Sequence, residues 1–184
     1  MIILASGSPR RRELMKQICN DYEVIVSDID ERVSHDFTPL EAVLDIAKRK
    51  GLKISEEHPN DIVISADTIV VFNNQIVHKP KDADDAKRIL KMLSNNEHEV
   101  ITAYCLIQGE KVLEKYVSSK VIFNDLSDDL IKRYVESGSP LDKAGAYGVQ
   151  DNNKYPIVKE VLGSVDNVIG FPVKEIKEDL EKIQ

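Results

Sequence analysis

Two long β-rich runs, Val100–Gln108 and Lys111–Phe123, are separated only by Gly109-Glu110. So short a link reverses the chain and makes an antiparallel hairpin, since a parallel crossover needs about a dozen residues or more. Around this hairpin, strand and helix patterns alternate. Ile2–Ala5 reads as a short buried strand, followed by a helix over Arg10–Ile18 with Ser8 as its cap and Pro9 in its first turn. Tyr22–Ser27 reads as a second strand. Thr38-Pro39-Leu40-Glu41 is a capping box that opens a helix running to about Lys50 and stopping near Gly51. Asp61–Phe72 is β-rich and turns through Asn73-Asn74 into Gln75–Val77. Asp82 caps a helix through Leu93, and Ser127 caps one over Asp128–Ser137 that Gly138 ends. Tyr155–Leu162 is a further strand, and Pro172 opens a last helix with Val173, Ile176, Leu180 and Ile183 on one face. The expected fold class is therefore α/β with a mixed sheet flanked by helices. The long hairpin suits a second lobe, with a cleft between the two.

Length and charge narrow the function. At 184 residues the chain suits a single domain over 1–184, with two lobes at most. Its 25 Lys and Arg against 32 Asp and Glu give a net charge of −7, which excludes a generally basic nucleic-acid coat or a polybasic membrane binder. No apolar run approaches the roughly 18–20 residues that cross a bilayer. Met1-Ile2-Ile3-Leu4-Ala5 has neither the charged lead nor the apolar length of a secretory signal. Cys19 and Cys105 are isolated, so no disulfide framework or C-x-x-C pair is present, and a reduced, cytoplasmic setting is expected.

Three segments carry chemistry. In Ala5-Ser6-Gly7-Ser8-Pro9-Arg10-Arg11-Arg12, three arginines fall in the first turn of a helix, the end whose dipole disfavours cations. A bound anion reverses that penalty, and small residues with guanidinium forks make a phosphate site; a solvated basic turn is the plainer reading. In Ile62-Val63-Ile64-Ser65-Ala66-Asp67-Thr68-Ile69-Val70-Val71, Asp67 sits where an unpaired carboxylate is costly. Either it marks a turn between two short strands, or it is held rigidly as a general base or metal ligand. Glu31, Lys50 and Lys79 are ordinary surface residues when each is taken alone. In Asp142-Lys143-Ala144-Gly145-Ala146-Tyr147-Gly148-Val149-Gln150, two glycines among small residues mark a loop passing close to a ligand or to other protein. Gln150 can both donate to and accept from a base edge. The four histidines lack metal-binding spacing, and no G-x-S-x-G elbow or P-loop occurs.

In order along the chain, Ala5-Ser6-Gly7-Ser8-Pro9-Arg10-Arg11, Ala66-Asp67-Thr68, Lys79-Pro80, Met92-Leu93-Ser94 with His98, Asp142 to Gly148, and Gly163-Ser164 through Gly170 form one series. This series resembles the Maf family of nucleoside triphosphate pyrophosphatases over nearly the whole sequence. The resemblance implies an extended, twisted sheet of the inosine triphosphate pyrophosphatase kind, with two lobes and a central cleft. It implies hydrolysis of a nucleoside triphosphate to the monophosphate and pyrophosphate with a divalent cation, magnesium or manganese. Lys79 and Gln150 match the branch acting on dTTP and UTP.

Carried over position by position, Asp67 corresponds to the proton acceptor that activates water, and Glu31 to a second catalytic carboxylate. Both are candidate metal ligands. Ser6, Arg10, Arg11, Lys50 and Lys79 correspond to residues around the triphosphate, and Arg10, Thr68 and Gln150 to positions that set base preference. Asn95, Phe171 and Asp151-Asn152-Asn153 depart from the family pattern. The resemblance also implies a homodimer and a small-molecule nucleotide partner, while the net charge and the lack of a long apolar run point away from nucleic acid and membrane. Two alternatives stand beside it: the same chemistry on 7-methyl-GTP or another purine nucleotide, and a non-catalytic, nucleotide-binding regulator of septum formation and division.

Overall fold

The computed structural model describes all residues, Met1–Gln184. In chain order the elements are β1 (Ile2–Leu4), α1 (Pro9–Met15), β2 (Glu23–Val24), α2 (Pro39–Glu57), β3 (Ile62–Phe72), β4 (Gln75–Val77), α3 (Ala83–Leu93), β5 (Glu97–Gln108), β6 (Lys111–Phe123), α4 (Asp128–Glu136), β7 (Val158–Leu162), α5 (Val165–Ile169) and α6 (Val173–Ile183). The seven strands form one mixed sheet in the order β2-β1-β3-β5-β6-β7, with β4 paired to β3. β1 runs parallel to β2 and β3, whereas β3–β4 and β6–β7 are antiparallel. This is the mixed α/β class expected. No helix is long and apolar enough to cross a membrane.

The backbone divides into two compact units. The first comprises Met1–Thr68, Thr102–Val117 and Gly170–Gln184, and the second Ile69–Ile101 and Ser118–Ile169. In the first, Ile3, Ala5, Ile54, Val63, Cys105 and Ile107 form a buried cluster. Burial pushes the Cys105 thiol up to about 12, which suits a packing role. Asp179 on α6 is buried too. Burial alone raises its pKa, but bonds from Lys115 at 2.7 Å, Tyr104 at 2.7 Å and Lys182 at 3.1 Å outweigh that, and its carboxyl lies below the usual range. In the second unit, Ala86, Ile89, Leu90 and Leu93 of α3 join Leu130, Ile131, Tyr134 and Val135 of α4 in one core. Asn73 and Asn74 both adopt positive φ, 51° and 61°, as a tight two-residue hairpin turn requires.

Three local expectations are corrected, those for α2, β2 and α1, and the alternatives left open for the middle of β3 are decided. α2 does not stop at Gly51 but runs to Glu57. A Cβ at Gly51 would lie 2.6 Å from Ser65 Oγ and 2.8 Å from Ile107 Cδ1, so this glycine permits close approach of helix to sheet instead of ending the helix. β3 continues through Ser65-Ala66-Asp67-Thr68 without a turn, because each polar side chain there finds a partner. β2 is shorter than Tyr22–Ser27: β1 is only three residues long and pairs in register with Glu23 and Val24, and a bond from Ile25 N–H to Leu4 O at 3.2 Å ends the pairing. α1 ends at Met15, after which Gln17 N–H and Ile18 N–H bond three residues back in a tightened turn.

Candidate active site

Strand alternation explains how β3 feeds two groups of side chains. Successive residues point to opposite faces, so Ser65 and Asp67 share one and Thr68 takes the other. Ser65 Oγ donates to Ala47 O on α2 at 2.6 Å, which fixes α2 over the first face. Lys50 stands one turn further along α2, and its Nζ donates to Asp67 Oδ1 at 3.0 Å. The same ammonium lies 2.9 Å from Glu31 Oε1. Lys50 and Asp67 are each 15% exposed, while Glu31, in the segment joining β2 to α2, is 58% exposed. Two carboxylates thus converge on one cation.

On the other face, Arg11 Nη2 donates to Thr68 Oγ1 at 3.0 Å, its Nε to Gly170 O at 2.8 Å and its Nη1 to Ser6 Oγ at 3.4 Å. Ser6 is buried, and its hydroxyl also accepts from Ser8 N–H at 3.2 Å. Thr68 Oγ1 in turn lies 2.8 Å from Thr102 Oγ1, a fully buried hydroxyl on the neighbouring strand β5. Desolvation lowers the Arg11 pKa below its ordinary value; Asp67 pushes it up, Arg10 down and Glu31 up. Arg11 stays a guanidinium cation. Its five N–H groups exceed the three bonds just described, so the same side chain that pins Ser6, Thr68 and the Gly170 carbonyl keeps donors on Nη1 and Nη2 for an anion.

Ser6, Arg10, Arg11, Glu31, Lys50, Asp67 and Thr68 therefore all belong to the first unit. Lys79 and Gln150 belong to the second. Lys79 is exposed, two residues after β4. Gln150 is exposed in a 3-10 turn, Val149–Asp151, and its amide packs over Gly148, where a Cβ would meet Gln150 Nε2 at 2.8 Å and Lys143 Cε at 2.9 Å. The close neighbour that the glycine-rich loop accommodates includes this loop's own side chains. Tyr134 steadies the loop, donating to Asp151 Oδ2 at 2.7 Å and accepting from Gly148 N–H at 3.0 Å.

The chain contains no group of three or more His, Cys, Asp or Glu side chains that could hold a metal ion. Magnesium, however, is commonly held by one or two carboxylates together with substrate phosphates and water. Glu31 and Asp67, meeting at a position already favourable to a cation, fit that mode.

Two residues at the site were not singled out from the sequence. Thr102 is the one small polar side chain within the otherwise apolar and aromatic run Val100–Ile107, the same kind of signal that Asp67 gives. Arg49 contacts the segment carrying Glu31; its four-residue spacing from Asp45 on α2 is a recognisable helical pair, bonded at 2.8 Å.

The Maf-like protein family matches residues 1–183. A protein of Pyrococcus furiosus named dTTP/UTP pyrophosphatase is 42% identical over 174 residues, covering 94% of this chain and 90% of its own. One of Clostridioides difficile with the same name is 40% identical, covering 98% and 94%. Among solved structures, the Ham1 protein of Staphylococcus aureus superposes with a TM-score of 0.54 at 13% identity, covering 100% of this chain and 99% of its own. A HAM1 protein from Coxiella burnetii gives 0.52 at 14%, covering 98% of each. These two likenesses are of fold. With one family spanning the chain almost end to end and relatives at this identity over nearly their full length, the chain belongs to the Maf-like proteins.

Proposed function

We propose that this protein is a nucleoside triphosphate pyrophosphatase that hydrolyses dTTP and UTP to the monophosphate and pyrophosphate. The observation that carries the mechanism is Lys50 Nζ held between Glu31 Oε1 at 2.9 Å and Asp67 Oδ1 at 3.0 Å. This places two carboxylates and a cation in the unit that also holds Arg10, Arg11 and Ser6. Relatives at 40–42% identity that bear the name dTTP/UTP pyrophosphatase supply the substrate class.

In this reading Lys50 fixes Oδ1 of Asp67 and leaves Oδ2 to take a proton from water. The water oxygen attacks the α-phosphorus, the bond from that phosphorus to the α–β bridging oxygen breaks, and pyrophosphate leaves with the electron pair. Arg10, Arg11, Ser6, Lys50 and Lys79 hold the phosphates and offset the charge that develops on the leaving group. A magnesium or manganese ion, when bound by Glu31, Asp67 and phosphate oxygens, supplies further positive charge there. Arg10, Thr68 and Gln150 set base preference, Gln150 through an amide able to donate and accept. Met1–Gln184 works as one functional domain in this reading. Two free cysteines support placing it in a reducing cytoplasm.

The test is a panel of nucleoside triphosphates incubated with magnesium or manganese, with the products separated. Pyrophosphate with dTMP or UMP is expected. Orthophosphate with diphosphate would overturn the reaction, and turnover confined to purine or 7-methylguanine nucleotides would overturn the substrate.

A further inference from the structure

Glu31 lies in a stretch without helix or strand between β2 and α2, and it is mostly exposed. An ion pair open to water on one side does little to order a whole segment, so side-chain pairing at Glu31 does not by itself fix the backbone that carries it. The neighbouring backbone is held differently. Arg49 Nη1 donates to Asp30 O and Arg49 Nη2 to Arg32 O, the latter at 3.0 Å, so one guanidinium grips the carbonyls on either side of Glu31. Its Nε donates to Asp45 Oδ2 at 2.8 Å, one helical turn back on α2.

We propose that Arg49 is a positioning residue, which fixes the backbone on both sides of Glu31 so that its carboxylate meets Lys50 beside Asp67. The fork has the geometry for this task. Its two amino groups are rigidly coplanar and span two acceptors at once, whereas an ammonium is a point donor. The division of labour falls on consecutive helical residues: Arg49 holds the main chain of the segment and Lys50 holds its side chain. Asp45 completes the device by fixing the guanidinium on the helix. The kinetic consequence rests on the reaction proposed above; the anchoring does not.

The experiment compares wild type, Arg49→Ala, Arg49→Lys, Glu31→Gln and the double variant Arg49→Ala/Glu31→Gln. Two readouts are taken: kcat/KM for dTTP, and hydrogen exchange of the amides in residues 28–34. Arg49→Ala and Arg49→Lys are expected to lower kcat/KM about 10–100-fold, as loss of a residue supporting a site carboxylate does. Because Arg49 acts through Glu31, adding Arg49→Ala to Glu31→Gln should cost less than about threefold more. Exchange in residues 28–34 should accelerate in both Arg49 variants, with α2 amides from Ala42 to Lys48 unchanged, and should stay near wild type in Glu31→Gln. Multiplying kinetic effects, or unchanged exchange in Arg49→Ala, would overturn the proposal. Should wild type fail to hydrolyse dTTP and UTP, the proposed reaction falls, and the exchange readout alone still decides whether Arg49 anchors Glu31.

Discussion

Replacing Gly51 with alanine is expected to destabilise the protein, although alanine is the better helix former. Helix propensity alone favours alanine in mid-helix by about 1 kcal/mol. Against this, the added Cβ would sit 2.6 Å from Ser65 Oγ, 2.8 Å from Ile107 Cδ1 and 3.3 Å from Ser65 Cβ. Both side chains are fully buried, and Ser65 Oγ is already committed to Ala47 O at 2.6 Å. Overpacking of this kind costs about 1–3 kcal/mol. Turning Ser65 away sacrifices a buried hydrogen bond worth about 1 kcal/mol or more. The net is a loss of about 1–3 kcal/mol, or about 2–12 °C in Tm for a chain of this size. Calorimetry or thermal circular dichroism reads the shift. Ser65→Ala in the Gly51→Ala background removes the nearest atom and should restore part of the loss. A Gly51→Ala protein that melts at or above wild type would refute the argument that α2 is held against β3 by the missing side chain.

Three further outcomes are expected. Asp67→Asn should lower kcat by about 10²–10⁴-fold if Asp67 is the base, with Tm near wild type; unaltered turnover would remove it from the mechanism. His98 is buried, with its Nε2 2.6 Å from Tyr147 OH, and burial pulls its pKa down to about 4 from an ordinary 6.5. The unfolded chain therefore binds this proton first as pH falls, so stability declines between about pH 6.5 and 4, by about 3 kcal/mol in all. His98→Gln should flatten that slope in denaturant titrations at several pH values, and an unchanged slope would contradict it. Thr102→Val keeps the volume but removes the hydroxyl beside Thr68; it should raise KM several-fold and blur the preference for dTTP over GTP, whereas Thr102→Ser restores both. Equal effects of the two substitutions would assign Thr102 to packing alone.

Much of the frame is written locally. Thr38 and Glu41 exchange both bonds of the capping box, at 3.2 and 3.1 Å, and Ser8, Asp82 and Ser127 cap the helices they were expected to cap. These features depend on residues three or four apart, which pattern reading captures. Gly51 misleads because a glycine after a helical run signals a stop, while its actual reason lies on a strand. The polar stretch of β3 is similar: Ser65, Asp67 and Thr68 look like a break until α2 and Arg11 are brought against them. Pairings such as Lys50 with Asp67 join residues distant in sequence, and no local pattern specifies them. Arg11 was legible as an anion-seeking residue, but not as the clamp on Thr68 and Gly170, because a backbone carbonyl leaves no trace in a side-chain motif. The 3-10 turns between Ser139 and Asp151 were hidden for another reason: they are too short for hydrophobic periodicity to show.

The most direct test of the account follows the oxygen atom. Turnover of dTTP in water enriched with heavy oxygen, analysed by mass spectrometry of both products, reports which phosphorus the solvent attacks. Attack at the α-phosphorus by water primed at Asp67 predicts the label in dTMP and none in pyrophosphate. Label in pyrophosphate would contradict it.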